Sequence, residues 1–264
     1  MKLDGKVALV TGSTTGIGQA IALRLAADGA SVVIDHRADP EGAAETLRKV
    51  EAAGGRCFQY GCSVEGKIVQ ADVSDVEQVR RMVAESVAYF GRMDILVNNA
   101  GIQKKASFWE VTEEDYDQVM DVNLKGAFFS AQAFVHHCMA AKHPGKIINI
   151  SSVHEELSFP DFASYCASKG GMKMMTRTLA TELAPLGITI NNVAPGAIAP
   201  DKNTSLQDDS DESKEFLKKI PLQRMGNPEE VASLVSFLCS AEADYITGST
   251  FLVDGGLMWT YQEP

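Results

Sequence analysis

The sequence lacks the features that mark membrane, secreted and nucleic-acid-binding proteins. No stretch approaches the roughly 20 consecutive apolar residues of a membrane-spanning helix. The first residues lead into an apparent strand without a signal-peptide pattern, so no export is expected. The 24 basic residues are outnumbered by 35 acidic ones, which gives a net charge of −11. This charge argues against nucleic acid or an anionic membrane as the main partner.

Cysteine and histidine are also sparse. The five cysteines are odd in number, scattered, and without Cys-x-x-Cys spacing. Such usage favours a reducing compartment over a disulfide framework, and we expect a cytoplasmic protein. The five histidines form no ligand array with cysteine or carboxylate, so no catalytic metal is expected.

Short apolar runs alternate with helical patterns along the chain. Strands are predicted at 6–10, 31–34, 94–97, 146–150, 188–193 and 248–254, with one more in 56–70, where 57–60 and 67–70 both qualify. This alternation predicts an α/β fold with a doubly wound parallel sheet in a single domain. A polar, acidic stretch at about 199–216 is the candidate for a substrate loop, with a plain surface excursion as the alternative.

A glycine-rich segment follows the first strand directly. Residues 11–18 read TGSTTGIG and lead into a helical pattern. Glycines allow the backbone to approach a pyrophosphate, and a helix N-terminus offers unpaired N–H groups. A tight turn into a helix is the alternative interpretation. The second strand ends in Asp35-His36-Arg37, where a carboxylate would bind a ribose and an arginine a 2′-phosphate, so NADP or NAD is expected.

The segment 151–169 carries the candidate chemistry. Tyr165 and Lys169 are four residues apart and therefore share one face of a helix. An ammonium at ~5 Å could lower the tyrosine pKa of about 10 by roughly two to three units, making Tyr165 an acid/base near neutrality. Ser152 must come from a separate element, and its hydroxyl could bind the reacting oxygen. The alternative is a helix start with a solvated lysine.

Together these residues resemble the short-chain dehydrogenase/reductase family over nearly the whole chain, from Leu3 to Gly256. The shared motifs are Thr-Gly-x-x-x-Gly-Ile-Gly at 11–18, Asp72, Asn-Asn-Ala-Gly at 98–101, Asn123, Ser152, Tyr165 with Lys169, and Pro195-Gly196. The resemblance implies a seven-stranded Rossmann-type sheet, a nicotinamide cofactor (NADP or NAD), a small-molecule substrate and, commonly, a homotetramer. The segment 56–70 is longer than the family usually carries.

The resemblance also implies residue roles. Tyr165 would be the base, Lys169 its electrostatic partner, Ser152 the anchor of the reacting oxygen, and Asn123 the holder of a water in a proton relay. Pro200 stands where the family often has a threonine beside the nicotinamide amide, so the backbone of Ile198 is expected to replace it. The expected cofactor-binding residues are Gly12, Thr14, Gly16, Ile17, Gly18, Arg37, Asp72, Val73, Asn99, Gly101, Tyr165, Lys169, Pro195, Gly196 and Ile198.

Within the family, the segments 151–155, 167–173 and 191–198 look most like those of glucose 1-dehydrogenases. This favours a small polyhydroxylated substrate, with oxidation of glucose at C1 to gluconolactone as the best guess. Ser152, His154 and Tyr165 are the expected substrate-binding residues, although His154 could instead only orient its loop. The alternatives are a 3-oxoacyl-thioester reductase, another secondary-alcohol dehydrogenase, or a catalytically inactive dinucleotide-binding sensor.

Overall fold

The computed structural model describes residues 2–52, 57–59, 71–199 and 211–259. Their centre is a seven-stranded parallel sheet in the order β3-β2-β1-β4-β5-β6-β7. The predicted α/β class and doubly wound sheet are confirmed. The strands are β1 (Val7–Val10), β2 (Ser31–Ile34), β3 (Cys57–Gln59), β4 (Ile95–Asn98), β5 (Gly145–Ile150), β6 (Ile188–Pro195) and β7 (Thr250–Val253).

Helices cover both faces of the sheet. Buried side chains of the first and last helices pack on one face, and those of three central helices on the other. The strands are thus buried on both faces, which explains their continuous apolar runs. The helices are α1 (Gly16–Ala27), α2 (Pro40–Ala52), α3 (Val76–Phe90), α4 (Glu113–Met120), α5 (Gly126–Ala141), α6 (Ala163–Leu183), α7 (Asp211–Lys218) and α8 (Pro228–Cys239).

The strand order reverses at β1, which pairs with β2 on one side and β4 on the other. Ligands of open α/β sheets bind outside the carboxyl ends of the strands at such a switch point. Thr11 follows β1, and its Oγ1 accepts hydrogen bonds from the backbone N–H groups of Asn99 (2.9 Å) and Ala100 (3.0 Å). These bonds join the glycine-rich segment to the loop after β4.

Two predicted segments differ from the structure or lie partly outside its described residues. Helix α7 occupies part of the predicted loop at 199–216, and residues 200–210, which include Pro200, lie outside the described ranges. An ion pair between Glu215 and Lys218, one helical turn apart, supports α7 in this polar segment. Of the two strand candidates in 56–70, the first is β3, and the second is not described.

The helical stretch that begins at Glu113 is interrupted after Met120. Between α4 and α5 the chain forms a π-helical segment, Asp121–Lys125, with Asn123 at its centre. Such insertions in α-helices occur frequently at functional sites. Within the described ranges, no helix combines the length and the apolar character needed to cross a membrane.

Candidate active site

The glycine-rich turn shapes the floor of the candidate site. Gly16 has φ +54°, and a Cβ on Gly18 would lie 2.2 Å from the carbonyl oxygen of Gly12 and 2.4 Å from Nδ2 of Asn99. Any larger residue at position 18 would therefore push the turn away from the loop after β4. Thr15 occupies the N-cap position of α1, but its side chain makes no capping hydrogen bond. The first turn of α1 contains no acidic residue. The N–H groups of this turn are thus free of a side-chain cap and suited to an anion.

The predicted cofactor-binding residues line two adjoining cavities. The first has a volume of about 900 Å³ and runs along the glycine-rich turn toward the ends of β2 and β4. The second, of about 430 Å³, lies over the ends of β5 and β6. The two share Ile17, Asn99, Gly101 and Ile198, so they form one continuous cleft. The predicted residues found only in the first are Gly12, Thr14, Gly16, Gly18, Arg37, Asp72 and Val73; those found only in the second are Tyr165, Lys169, Pro195 and Gly196.

Lys169 and Tyr165 face the second cavity from α6. Lys169 is buried, its Nζ donates a hydrogen bond to the carbonyl oxygen of Ile150 (2.9 Å), and it lies 5.7 Å from the centroid of the Tyr165 ring. Burial lowers the pKa of Lys169 to about 8, and the charge of Glu155 opposes that shift. Spacing and packing thus bring the predicted pair together.

The expected lowering of the Tyr165 pKa is wrong for this arrangement. Burial of the phenol raises its pKa, and the neighbouring Ser152 hydroxyl opposes this shift only in part. The spacing of Tyr165 and Lys169 along the helix indicates the effect of the lysine charge on this pKa but not the effect of burial. In the structure, desolvation of the hydroxyl is the largest influence on this pKa, because burial disfavours the phenolate.

Ser152 lies two residues after the end of β5 and is the N-cap of a short 3₁₀ turn, Val153–Glu155. Its Oγ accepts a hydrogen bond from the backbone N–H of His154 (3.2 Å). This turn holds the serine hydroxyl beside Tyr165 in the wall of the second cavity. Ser152, from the turn after β5, therefore lines the same cavity as Tyr165 and Lys169, which lie on α6. The sequence predicted that these residues from two separate elements come together.

His154 is placed differently from its expected role in binding substrate. Its ring stacks on Phe159 with centroids 4.2 Å apart and meets Tyr165 edge-on at 6.2 Å. Nδ1 lies 3.2 Å from the carbonyl oxygen of Leu157 and therefore carries the proton, while burial lowers the pKa of the ring. In the described part of the chain, His154 packs beside Tyr165 and lines neither cavity.

Asn123 lies behind the cleft and not in its wall. Its Oδ1 accepts from the backbone N–H of Ile102 (2.8 Å), and its Nδ2 donates to the carbonyl oxygen of Ile102 (2.8 Å) and to Oγ of Ser168 (3.1 Å). The side chain thus ties the π-helical segment to the loop after β4 and to α6.

The outer end of the first cavity carries polar atoms that lack partners. Asp35 is buried, its Oδ2 accepts from the backbone N–H of Gly12 (3.1 Å), and burial raises its pKa to about 7. Its Oδ1 and both ring nitrogens of His36 have no hydrogen-bond partner among the described residues. Arg37 is largely exposed, 3.8 Å from the carboxylate of Asp72. Asp35, His36 and Arg37 supply hydrogen-bond acceptors and donors at this end of the cavity. Together with the first turn of α1, they fit the ribose and phosphate groups of a dinucleotide.

Several positioning residues were missed by the sequence analysis. Asn98, Asn149 and Asn192 lie in register on three neighbouring strands, and Glu155 adjoins the last of them. The available signal was an asparagine near the end of each otherwise apolar strand. Because their partners are distant in sequence, only the strand order shows that they meet.

Residues 12–258 match a family model described as "Enoyl-(Acyl carrier protein) reductase". With the Ser-Tyr-Lys arrangement beside the glycine-rich turn, this decides the family. The chain belongs to the short-chain dehydrogenase/reductase family. It is an NAD(P)-dependent oxidoreductase that acts on a small molecule. In the described residues, no group of three or more potential metal ligands comes together.

Known members of the family differ in substrate. The chain is 42% identical to glucose 1-dehydrogenase 2 of Bacillus subtilis, covering 97% of this chain and 95% of that protein. It is equally 42% identical to 3beta-hydroxysteroid dehydrogenase 1 of Eggerthella lenta, covering 97% and 94%. A solved structure from Agrobacterium tumefaciens, assigned as a 2-deoxy-d-gluconate 3-dehydrogenase with bound NADP, has 39% identity and a TM-score of 0.86, covering 97% and 98%.

Proposed function

We propose that this enzyme oxidises a hydroxyl of a small polyhydroxylated substrate, with C1 of glucose as the leading candidate and gluconolactone as the product. The observation that carries the proposal is the continuity of the cleft that joins Ser152, Tyr165 and Lys169 to the glycine-rich turn. The similarity to a glucose 1-dehydrogenase supports the sugar.

The proposed cofactor contacts follow the cavity walls. The turn at 12–18 would hold the pyrophosphate, Asp72 and Val73 the adenine, and Asn99 and Gly101 the adjoining ribose. Pro195, Gly196 and the backbone of Ile198 would hold the carboxamide end. When bound, the nicotinamide ring accepts the hydride in oxidation and donates it in reduction.

The proposed proton transfer uses the chain's own groups. In oxidation Tyr165 takes the proton of the substrate hydroxyl, while the Ser152 hydroxyl donates a hydrogen bond to the same oxygen. The ammonium of Lys169 favours the tyrosinate by its charge. Asn123 would hold a water that passes the proton onward behind Lys169.

The polar character of the turn after β5 supports a substrate with several hydroxyl groups. The hydroxyls of Ser152, at the start of this turn, and of Tyr165 line the second cavity and can hydrogen-bond such groups. A site that hydrogen-bonds substrate hydroxyls penalises an analogue that lacks them. Two alternatives also have support: a 3-oxoacyl-thioester reductase, because the chain is similar to a 3-oxoacyl-[acyl-carrier-protein] reductase of Staphylococcus epidermidis, and a secondary-alcohol dehydrogenase, because it is similar to the hydroxysteroid dehydrogenase of Eggerthella lenta.

Steady-state kinetics on three substrates test the substrate proposal. Glucose, a non-sugar secondary alcohol and an acetoacetyl thioester would each be measured in the appropriate direction with NADP(H) and NAD(H). We expect the highest kcat/KM for glucose. The sugar assignment fails if glucose gives the lowest value of the three.

For the cofactor, we propose that NADP is used well and NAD is also accepted. Arg37 at the end of β2 supports this, since a guanidinium pairs with a 2′-phosphate, whereas NAD offers only a hydroxyl there. Arg37→Ala should therefore raise the KM for NADP far more than the KM for NAD. Arg48→Ala, on α2, serves as a control for loss of positive charge. Equal effects of Arg37→Ala on both cofactors would contradict the proposal.

We also propose a homotetramer, as the family resemblance implies, and a cytoplasmic location. The free thiols of Cys138, Cys166 and Cys239 are consistent with a reducing compartment. Sedimentation equilibrium of the purified chain tests the assembly, with a mass well below four chains as the contrary result. Cell fractionation tests the location, with recovery outside the cytoplasm as the contrary result.

A further inference from the structure

Asp35, which directly follows β2, is a buried carboxylate that lacks a counter-ion. The residue is 2% exposed, although acidic side chains are almost never fully buried unless they are paired. Its Oδ1 has no hydrogen-bond partner, and none of the ion pairs within the described residues includes Asp35. Arg37, two positions later, instead lies 3.8 Å from the carboxylate of Asp72. A negative charge on Asp35 is therefore without a neutralising partner in this part of the structure.

Hydrogen bonds attach Asp35 to the glycine-rich turn. Its Oδ2 accepts from the backbone N–H of Gly12 (3.1 Å). The backbone carbonyl of Asp35 accepts from the N–H of Ser13 (3.0 Å), and its own N–H donates to Oγ of Ser13 (3.1 Å). The carboxylate is thus held directly against the turn that we propose for the pyrophosphate of the cofactor.

A bound dinucleotide could act on Asp35 through a hydrogen bond or through charge. Asp35 lines the first cavity, but its Oδ1 is buried and its Oδ2 is engaged by Gly12. A ribose hydroxyl would therefore reach Oδ1 only if the cavity wall moved. The negative charges of a pyrophosphate held by the turn act without such contact, and a like charge at short range disfavours the ionised form of a carboxyl group. Charge is thus the stronger influence.

We infer that the enzyme takes up a proton from solution when it binds a dinucleotide, and that Asp35 receives this proton. The inference rests on the proposed placement of the cofactor and is independent of which substrate the enzyme uses. Asp35 then has two effects on the cofactor site: its hydrogen bonds hold the turn, and its ionisation weakens binding of the dinucleotide.

The groups around Asp35 determine the sign of the pH dependence. The titratable or charged side chains that line the first cavity beside it are His36, Arg37, Asp39 and Asp72. Burial raises the pKa of Asp35 to about 7, and the charge of Asp72 acts in the same direction. Burial lowers the pKa of His36, so its ring supplies no positive charge above neutrality. Each pH unit above about 7 should therefore weaken dinucleotide binding by up to about tenfold, because a proton must bind together with the cofactor.

Isothermal titration calorimetry of NADH binding to the full-length enzyme tests the inference in the absence of substrate. NADH is chosen because it lacks the titratable 2′-phosphate of NADPH. The binding enthalpy would be measured at about pH 8 in phosphate and in Tris, whose ionisation enthalpies differ, and the difference gives the number of protons taken up. We expect the wild type to take up about 0.5–1 proton for each NADH bound.

Asp35→Asn keeps the shape of the side chain and an acceptor for the N–H of Gly12, but it cannot gain the proton. Its proton uptake should be lower than that of the wild type by at least about half a proton. Lys169, also buried in the cleft, contributes equally to both proteins, so the difference isolates Asp35. Asp39→Asn is the matched control, because Asp39 lines the same cavity but is only half-buried. It should keep the wild-type uptake.

Equal or greater proton uptake by Asp35→Asn than by the wild type would overturn the inference. If that variant fails to fold, the infrared difference spectrum of the wild type with and without NADH decides. On binding, a band of a protonated carboxyl group should appear, shift when aspartate carries ¹³C at its carboxyl carbon, and persist in Asp39→Asn. Absence of this band would equally overturn the inference. Because neither measurement needs turnover, their failure is distinct from a failure of the proposed function, which would appear as absence of activity on every substrate.

Discussion

Tyr165 and Lys169 lie four residues apart on α6, but burial acts on them in opposite directions. It raises the pKa of the phenol and lowers that of the amine, so each charged form is disfavoured. Each group therefore depends on its neighbours to become charged. For Lys169 these are the carbonyl of Ile150 and the carboxylate of Glu155, and for Tyr165 the hydroxyl of Ser152.

Tyr165→Phe should lower kcat by about 10²–10⁴-fold, the range for loss of a general acid or base. Removing one hydroxyl from the second cavity leaves the glycine-rich turn intact, so the Kd for NADPH, measured by its fluorescence, should change by less than about twofold. Tyr116→Phe, at an exposed position on α4, is the control and should keep full turnover. Retention of more than a tenth of wild-type kcat in Tyr165→Phe would rule out the assignment.

The role of a residue could be predicted from the sequence where its partner lies only a few positions away along the chain. Tyr165 with Lys169, and the glycines of 12–18, are examples. The burial of Glu155 and Asp35 could not be predicted this way, because their partners Asn192 and Gly12 lie 37 and 23 positions away. The pKa of Tyr165 was mispredicted for the same reason: spacing along a helix gives no measure of desolvation.

The turn between β1 and α1 requires glycine at position 18, because no space is available there for a Cβ. Gly18→Ala would place a methyl group 2.2 Å from the carbonyl oxygen of Gly12, and that backbone cannot move without disturbing Asn99. Overpacking of this kind costs about 1–3 kcal/mol in the free energy of unfolding. NADPH affinity should fall as well, because the displaced turn lines the first cavity.

Gly170→Ala is the matched control for that substitution. Gly170 also lies in a helix, but its Cβ would meet only the carbonyl oxygen of Glu155 at 4.0 Å. We expect unfolding in urea to show equal or greater stability, by up to about 1 kcal/mol. If Gly18→Ala were as stable as Gly170→Ala and bound NADPH normally, the close approach would not constrain the turn.

The elements most accurately predicted carry strong local signals. Helix α3 begins at Val76, directly after Asp75, a residue type favoured at helix N-caps, which accepts hydrogen bonds from two backbone N–H groups of the first turn. The π-helical segment at Asp121–Lys125 and helix α7 were not predicted. The former depends on tertiary bonds of Asn123 to Ile102 and Ser168, and the latter lies in a segment with few apolar residues.

For the whole molecule, fold and family do not decide the substrate. The chain is 42% identical both to a glucose dehydrogenase and to a hydroxysteroid dehydrogenase, over nearly the full length of each. The sheet and the glycine-rich turn are common to the family, so they do not identify the alcohol that reacts. Substrate choice therefore depends on side chains around the second cavity, whose described wall includes Ser152 and Tyr165.

The most direct measurement follows a label from substrate to cofactor. Glucose deuterated at C1 and glucose deuterated at C3 would each be incubated with the enzyme and NADP, and the mass of the NADPH formed would be determined. Oxidation at C1 predicts NADPH heavier by one mass unit with the first substrate and unlabelled NADPH with the second. NADPH that forms without deuterium from C1, or that carries deuterium from C3, would contradict the proposed reaction.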